Sequence, residues 1–177
     1  MNTTIYMVRH GAYVRQGAVV PFRRPGVHLS PVGVQQSEKL ARFFADKNIA
    51  AVYASPMERT QETAKIISGG RPVITDERLN EVRTSRGTYE EGLPDEKSGW
   101  GKFGADWFTK RGGETSDEIT GRMRSFNEEM LKKYKGRAIV VVSHGDPIMF
   151  LLADIAHKKP WEVPYMQIGE MRKLTFP

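Results

Sequence analysis

Four short apolar runs rich in β-branched residues punctuate this chain: Thr4–Val8, Ile49–Ala54, Val73–Ile74 and Ala138–Val142. Runs of this length and composition read as buried strands. Helical patterns lie between them. Pro31–Lys47 places Val34, Leu40, Phe43 and Phe44 at helical spacing, and Thr115–Tyr134 carries Ile119, Met123, Phe126 and Met130 on one stripe. Pro56–Ile67 and Pro147–Ala156 each follow a strand. Alternation of strand and helix predicts an α/β fold: a three-layer α/β/α sandwich with a mostly parallel sheet. A last alternating run, Glu170–Phe176, predicts a further strand at the sheet edge, where it could pair two copies into a homodimer.

The helix starts carry their own signals. Ser30-Pro31, Ser55-Pro56 and Asp146-Pro147 each set a capping oxygen before a proline suited to the first helical position. Ser55-Pro56-Met57-Glu58 and Thr115-Ser116-Asp117-Glu118 also fit the capping-box pattern. Residues 76–113 differ in kind, being Gly-rich, aromatic, charged and weakly periodic. They predict an excursion over the sheet that shapes a pocket, inside a single domain spanning 1–177. Such a length buries a sizeable core. Met7, Met57, Met123 and Met130 are expected to pack within it.

Composition narrows the chemistry. With no cysteine, disulfides, thiolate nucleophiles and zinc–thiolate sites are excluded, and a reducing cytoplasm is the simplest location. No apolar run approaches a membrane span, and the start lacks a signal-peptide layout, so no membrane partner is expected. The net charge of +6 favours anionic partners. No basic tract is interleaved densely enough with aromatics to indicate nucleic acid.

Arg9-His10 stands at the carboxyl end of the first strand. Ser55 and Arg59 stand at the end of the second and in the first turn of its helix, and Ser143-His144-Gly145 ends the later one. In open parallel sheets the carboxyl ends of strands form the ligand crevice. Three such ends would bring two histidines, two arginines and helix N-termini to one edge. Helix N-termini offer free N–H groups, and arginine forks match phosphate oxygens in pairs. The site so assembled is cationic and suits phosphate. Gly11 permits close backbone approach, and neighbouring cations disfavour imidazolium, so His10 should be neutral and nucleophilic near pH 7.

Arg9-His10-Gly11, Leu29-Ser30-Pro31-Val32-Gly33, Ser55-Pro56-Met57-Glu58-Arg59-Thr60, Arg78-Leu79-Asn80-Glu81, Gly113-Glu114-Thr115 and Ser143-His144-Gly145 occur in the order found in the histidine phosphatase superfamily. The chain resembles that phosphoglycerate-mutase-like clan over roughly Ile5–Phe176. The resemblance implies that His10 attacks phosphorus and becomes phosphohistidine. It also implies that Arg9, Arg59 and His144 hold the phosphoryl oxygens, with Gly145 beside them. Glu81 would protonate the leaving alcohol and then activate water. No metal and no cofactor is implied, since arginine and imidazole supply the positive field. Ser55 suits either a helix cap or a phosphate contact. Gln16 stands where the family often has an asparagine on the phosphate, and Ala12 where a polar residue is common. Gly87–Gly92 resembles a Gly-x-aromatic-Glu-Gly stretch of the family, farther past Glu81 than usual.

The function these features predict is a metal-independent phosphatase acting on a small phosphorylated metabolite. Three rivals share the clamp or the charge. A phosphoglycerate-type mutase tends to carry a larger insertion after the acid. A phosphohistidine phosphatase generally lacks an acid at position 81. A silent phosphate-binding module would usually have lost a histidine or a clamp arginine. Arg15, Arg23, Arg24, Arg83 and Arg86 fall in loops expected around the crevice, either as substrate contacts or as solvated surface charges. Gly99–Gly104 matches GxGxxG, but no strand precedes it. Asn2-Thr3-Thr4 matches a glycosylation acceptor that has meaning only in a secreted protein.

Overall fold

The structure, a computed structural model, describes residues 1–14, 22–83, 109 and 112–177. Five strands, β1 (Thr3–Arg9), β2 (Ile49–Ala54), β3 (Val73–Thr75), β4 (Ala138–Ser143) and β5 (Met171–Phe176), form one sheet in the order β3-β2-β4-β1-β5. β1 pairs with β4, β4 with β2 and β2 with β3 in parallel, whereas β5 runs antiparallel along the outer edge of β1. Among the described residues the α-helices are α1 (Pro31–Phe44), α2 (Glu58–Ile67), α3 (Ser116–Lys133) and α4 (Gly145–Ala156). The sheet is thus mostly parallel with one antiparallel edge, as the strand-then-helix alternation predicts.

The inner strands β1, β2 and β4 are apolar on both faces because both faces are covered. Ile5, Met7, Ile139 and Val141 pack with Met123, Phe126 and Met130 of α3 and with Ile148 and Leu151 of α4. The alternate residues Tyr6, Val8, Val140 and Val142 pack with Phe44 of α1 and with Ala64 and Ile67 of α2. The α3 stripe of Ile119, Met123, Phe126 and Met130 is fully buried, and each such side chain contributes about 1.5–3 kcal/mol by leaving water. Met7 and Met57 are buried as expected.

Sequence expectations for α1 and for the starts of two other helices are corrected. The apolar stripe of α1 is rotated: the helix buries Gly33, Ser37 and Phe44, while Val34 and Phe43 are exposed. The cause is a close backbone contact. A Cβ on Gly33 would lie 1.9 Å from the carbonyl oxygen of Ala12, so the first turn of α1 docks through its smallest residue onto the segment following β1. The helix also ends at Phe44, short of Lys47. Two of the expected caps do not form either. Ser30 accepts from Gly33 N, and Thr115 and Glu118 form a reciprocal capping box. α2, however, begins at Glu58 with Met57 at its cap, and α4 begins at Gly145 with His144 at its cap, which leaves Asp146 inside the first turn.

Beyond β3 the chain makes a 3₁₀ turn at Glu77–Leu79 and an extended loop to Arg83. Arg86, Gly87–Gly92 and Gly99–Gly104 lie outside the described residues, as does most of the expected excursion. Among the described residues no helix is long and apolar enough to cross a membrane.

Candidate active site

β4 lies between β2 and β1, so their carboxyl ends are neighbours. The residue that immediately follows β2, β4 and β1 is Ser55, His144 and His10, respectively. One further rung on each side ties these tips together: His10 N donates to Ser143 O at 3.1 Å and Ser55 N to Val142 O at 3.2 Å. The parallel ladder itself therefore sets the spacing of the two imidazoles, whose ring centroids are 5.2 Å apart.

Hydrogen bonding fixes both tautomers, because a carbonyl only accepts and a guanidinium only donates. His10 Nδ1 lies 2.8 Å from the Gly11 carbonyl and carries its proton toward it. Its Nε2 lone pair accepts from Arg59 Nε at 3.3 Å. His144 Nδ1 accepts from Arg59 Nη2 at 3.1 Å, so its Nε2 carries the proton and donates to Ser55 Oγ at 2.8 Å. Ser55 passes a hydrogen bond to Thr60 Oγ1 at 2.7 Å, and Thr60 donates to Met57 O at 2.6 Å. Ser55 is therefore a support for His144 rather than a helix cap. Burial first and the Arg59 charge second hold both imidazoles well below the ordinary histidine range, so both are neutral at pH 7.

The two arginines are anchored but not saturated. Arg59, almost wholly buried, also donates to Phe22 O at 2.6 Å. Arg9 donates through Nη1 to Met166 O at 2.7 Å and lies over the Tyr165 ring at 5.0 Å. Arg9 Nε and Arg59 Nη1 are buried with no hydrogen-bond partner among the described residues. A buried donor left unmet costs about 1–3 kcal/mol, more when charged. Two such donors, one at the end of β1 and one in the first turn of α2, mark where anionic oxygens belong.

Glu81 completes the cluster. Its Oε2 is 3.7 Å from His144 Nδ1, and its Oε1 accepts from Val82 N at 2.9 Å. Burial and then the neighbouring Asp146 carboxylate push its pKa up to about 7, so the carboxyl can hold a proton far above the ordinary carboxylate range. Asp146 accepts from the Tyr165 hydroxyl at 2.9 Å. Gly145 leaves room for this arrangement: a Cβ there would lie 2.2 Å from Tyr165 Oη and 3.0 Å from Arg9 Cζ.

Of the residues expected from sequence, the structure brings His10, Arg9, Arg59, His144, Glu81, Ser55 and Gly145 together. Arg15 and Gln16 lie outside the described residues. Arg83 donates from Nη1 to Gly112 O, and Arg23 pairs with Glu114 at 3.1 Å, so neither is a freely solvated arginine. Sequence reasoning missed Asp146 as a charge beside Glu81. It also missed Tyr165 behind Arg9, and Tyr13, whose ring is 5.7 Å from His10 with Arg59 over it at 5.9 Å. The adjacency of Asp146 to His144 was an available signal, whereas Tyr165 lies in a stretch without pattern. Among the described residues no three His, Asp or Glu side chains group as a metal site.

A family model described as the histidine phosphatase superfamily (branch 1) matches residues 5–175. A protein named probable phosphoglycerate mutase GpmB, from Yersinia enterocolitica, is 30% identical over 165 residues, covering 88% of this chain and 76% of that one. Among solved structures, Bacillus stearothermophilus YhfR superposes with a TM-score of 0.80 at 25% identity, covering 97% of this chain and 90% of that one. A mycobacterial glucosyl-3-phosphoglycerate phosphatase shares the fold at a TM-score of 0.79 and 21% identity, covering 99% and 91% of the two chains.

Proposed function

The chain belongs to the histidine phosphatase superfamily, and on that premise we propose that it is a metal-independent phosphatase that hydrolyses a small phosphorylated metabolite through phosphohistidine. The observation that carries this reading is the neutral His10 Nε2 set beside two unmet guanidinium donors and a protonatable buried carboxyl.

In the first step the His10 Nε2 lone pair forms a bond to phosphorus as the ester P–O bond breaks. The electron pair leaves on the alcohol oxygen, which takes the Glu81 proton. The phosphoimidazole keeps its Nδ1 proton, and the Gly11 carbonyl stabilises the resulting positive charge. Arg9 and Arg59 hold the phosphoryl oxygens as charge builds, an effect worth about 3 kcal/mol per fixed donor. His144 can join them only with a proton on Nδ1, and a dianionic phosphate nearby favours that proton. In the second step water attacks phosphorus, the P–N bond breaks and the Glu81 carboxylate takes the water proton. His10 returns neutral.

Alkaline-quench trapping during turnover tests the covalent step. We expect an acid-labile, alkali-stable phosphoryl group on Nε2 of residue 10. In His10→Ala the adduct should be absent and turnover down by at least about a thousandfold. A His10→Ala enzyme of near-normal rate would end this mechanism, and loss of activity with a chelator would end its metal independence. The likeness to a protein named phosphoglycerate mutase supports a second reading, phosphoryl return to the bound alcohol. Isomerised phosphoglycerate without phosphate release would select it.

A further inference from the structure

Glu81 stands on a loop outside any strand or helix, so something other than a ladder must hold it. Four nearby carbonyls are held from outside the loop. Leu79 O accepts from Ser143 Oγ at 2.8 Å, at the very tip of β4. Arg78 O accepts from Arg122 Nη1 at 2.5 Å. Glu81 O accepts from Arg23 Nε at 2.6 Å and from Arg122 Nη2 at 3.5 Å. Arg83 O accepts from Glu114 N at 2.8 Å.

The two guanidiniums that grip Glu81 O would repel each other unless a counter-charge stood between them. Glu114, 7% exposed, is that charge. Its Oε1 accepts from Arg122 Nε at 2.9 Å. Its Oε2 accepts from Arg23 Nη2 at 3.1 Å, Arg122 Nη2 at 3.3 Å and Arg83 N at 2.8 Å. The network also reaches the opposite wall of the site, because the residue before Arg23 presents its carbonyl to Arg59. One buried carboxylate therefore links α3, the acid loop and the segment behind the clamp.

We propose that Glu114, acting through Arg23 and Arg122, is a positioning residue that sets where the Glu81 carboxyl meets the leaving oxygen. The inference rests on Glu81 being the general acid. Fixing the peptide plane at Glu81 fixes the direction of its side chain, and displacement of about 1 Å in a proton donor can cost on the order of a hundredfold. Arg9 and His10 reach the phosphoryl group from other elements and do not pass through this network, and Arg59 meets it only at Phe22 O while also donating to both imidazoles. Its loss should therefore be felt at the leaving group and not at phosphorus.

The test compares kcat/KM, which covers only steps up to leaving-group departure, for an alkyl phosphate and for p-nitrophenyl phosphate. Glu114→Gln should lower the alkyl value by about tenfold or more and the nitrophenyl value by less than about threefold. Within a Glu81→Gln background the same change should lower the alkyl value by less than about threefold, because no proton donor is left to misplace. Equal losses on both esters, or a full further loss in the double variant, would overturn the proposal. A Glu81→Gln enzyme that slows both esters alike, with Glu114 intact, would instead strike the acid assignment itself. Should Glu114→Gln not fold, Arg23→Met carries the same comparison. It removes one grip on Glu81 O and leaves the Glu114–Arg122 pair in place.

Discussion

Glu81 is a carboxyl kept from ionising by burial and by the Asp146 charge, with a pKa of about 7. As a general acid it must hold its proton, so activity toward alkyl phosphates should fall about tenfold per pH unit above 7. The limb should be missing for p-nitrophenyl phosphate, whose leaving group needs no proton. In Asp146→Asn the nearby negative charge is gone, and the alkyl limb should move to lower pH. A pH–rate series on both esters checks this, and an unmoved limb in Asp146→Asn would remove the Asp146 contribution. Among single residues, His10, Arg59 and His144 were legible in the sequence because each follows an obvious apolar run and strand ends in such sheets converge. The influence of Asp146 on Glu81 was not. It acts through space between positions 65 apart, and no local pattern encodes that meeting.

At the scale of elements, the sheet was nearly all legible, since strands covered on both faces must be continuously apolar. β2 matches its expected bounds, and the other strands differ only at their ends. Caps were less legible. The oxygen of Ser55 and the backbone at His144 satisfy local rules for helix starts, but the site uses both, so α2 starts later and α4 earlier than expected. α1 misled for another reason: its docking face is set by a backbone contact of Gly33 on Ala12 rather than by its apolar residues. Gly33→Ala should push the helix off the segment that follows His10, lowering stability by about 1–3 kcal/mol. The expected readout is a lower midpoint in chemical denaturation together with reduced turnover. An unchanged midpoint would mean that α1 can yield at no cost.

For the whole molecule, the site is a source of pH-dependent instability. Both buried histidines titrate well below 6.5 when folded and near 6.5 when unfolded. Below about pH 6.5 the unfolded chain therefore binds more protons, and each histidine weakens folding by about 1.4 kcal/mol per unit as pH falls. Glu81 acts in the opposite sense between 4.5 and about 7, where the folded protein holds the extra proton. Glu81→Gln removes that opposing effect. Relative to wild type, the variant should gain about 2–3 kcal/mol on going from pH 5 to pH 8, measured by urea unfolding at each pH. A difference that does not change with pH would contradict the raised carboxyl.

The unmet donors on Arg9 and Arg59 have one more consequence. They accept any tetrahedral oxyanion, and orthophosphate remains one after the alcohol has gone. The spent phosphate should therefore linger and compete with fresh ester, so that catalytic throughput depends on how quickly the surroundings draw it away.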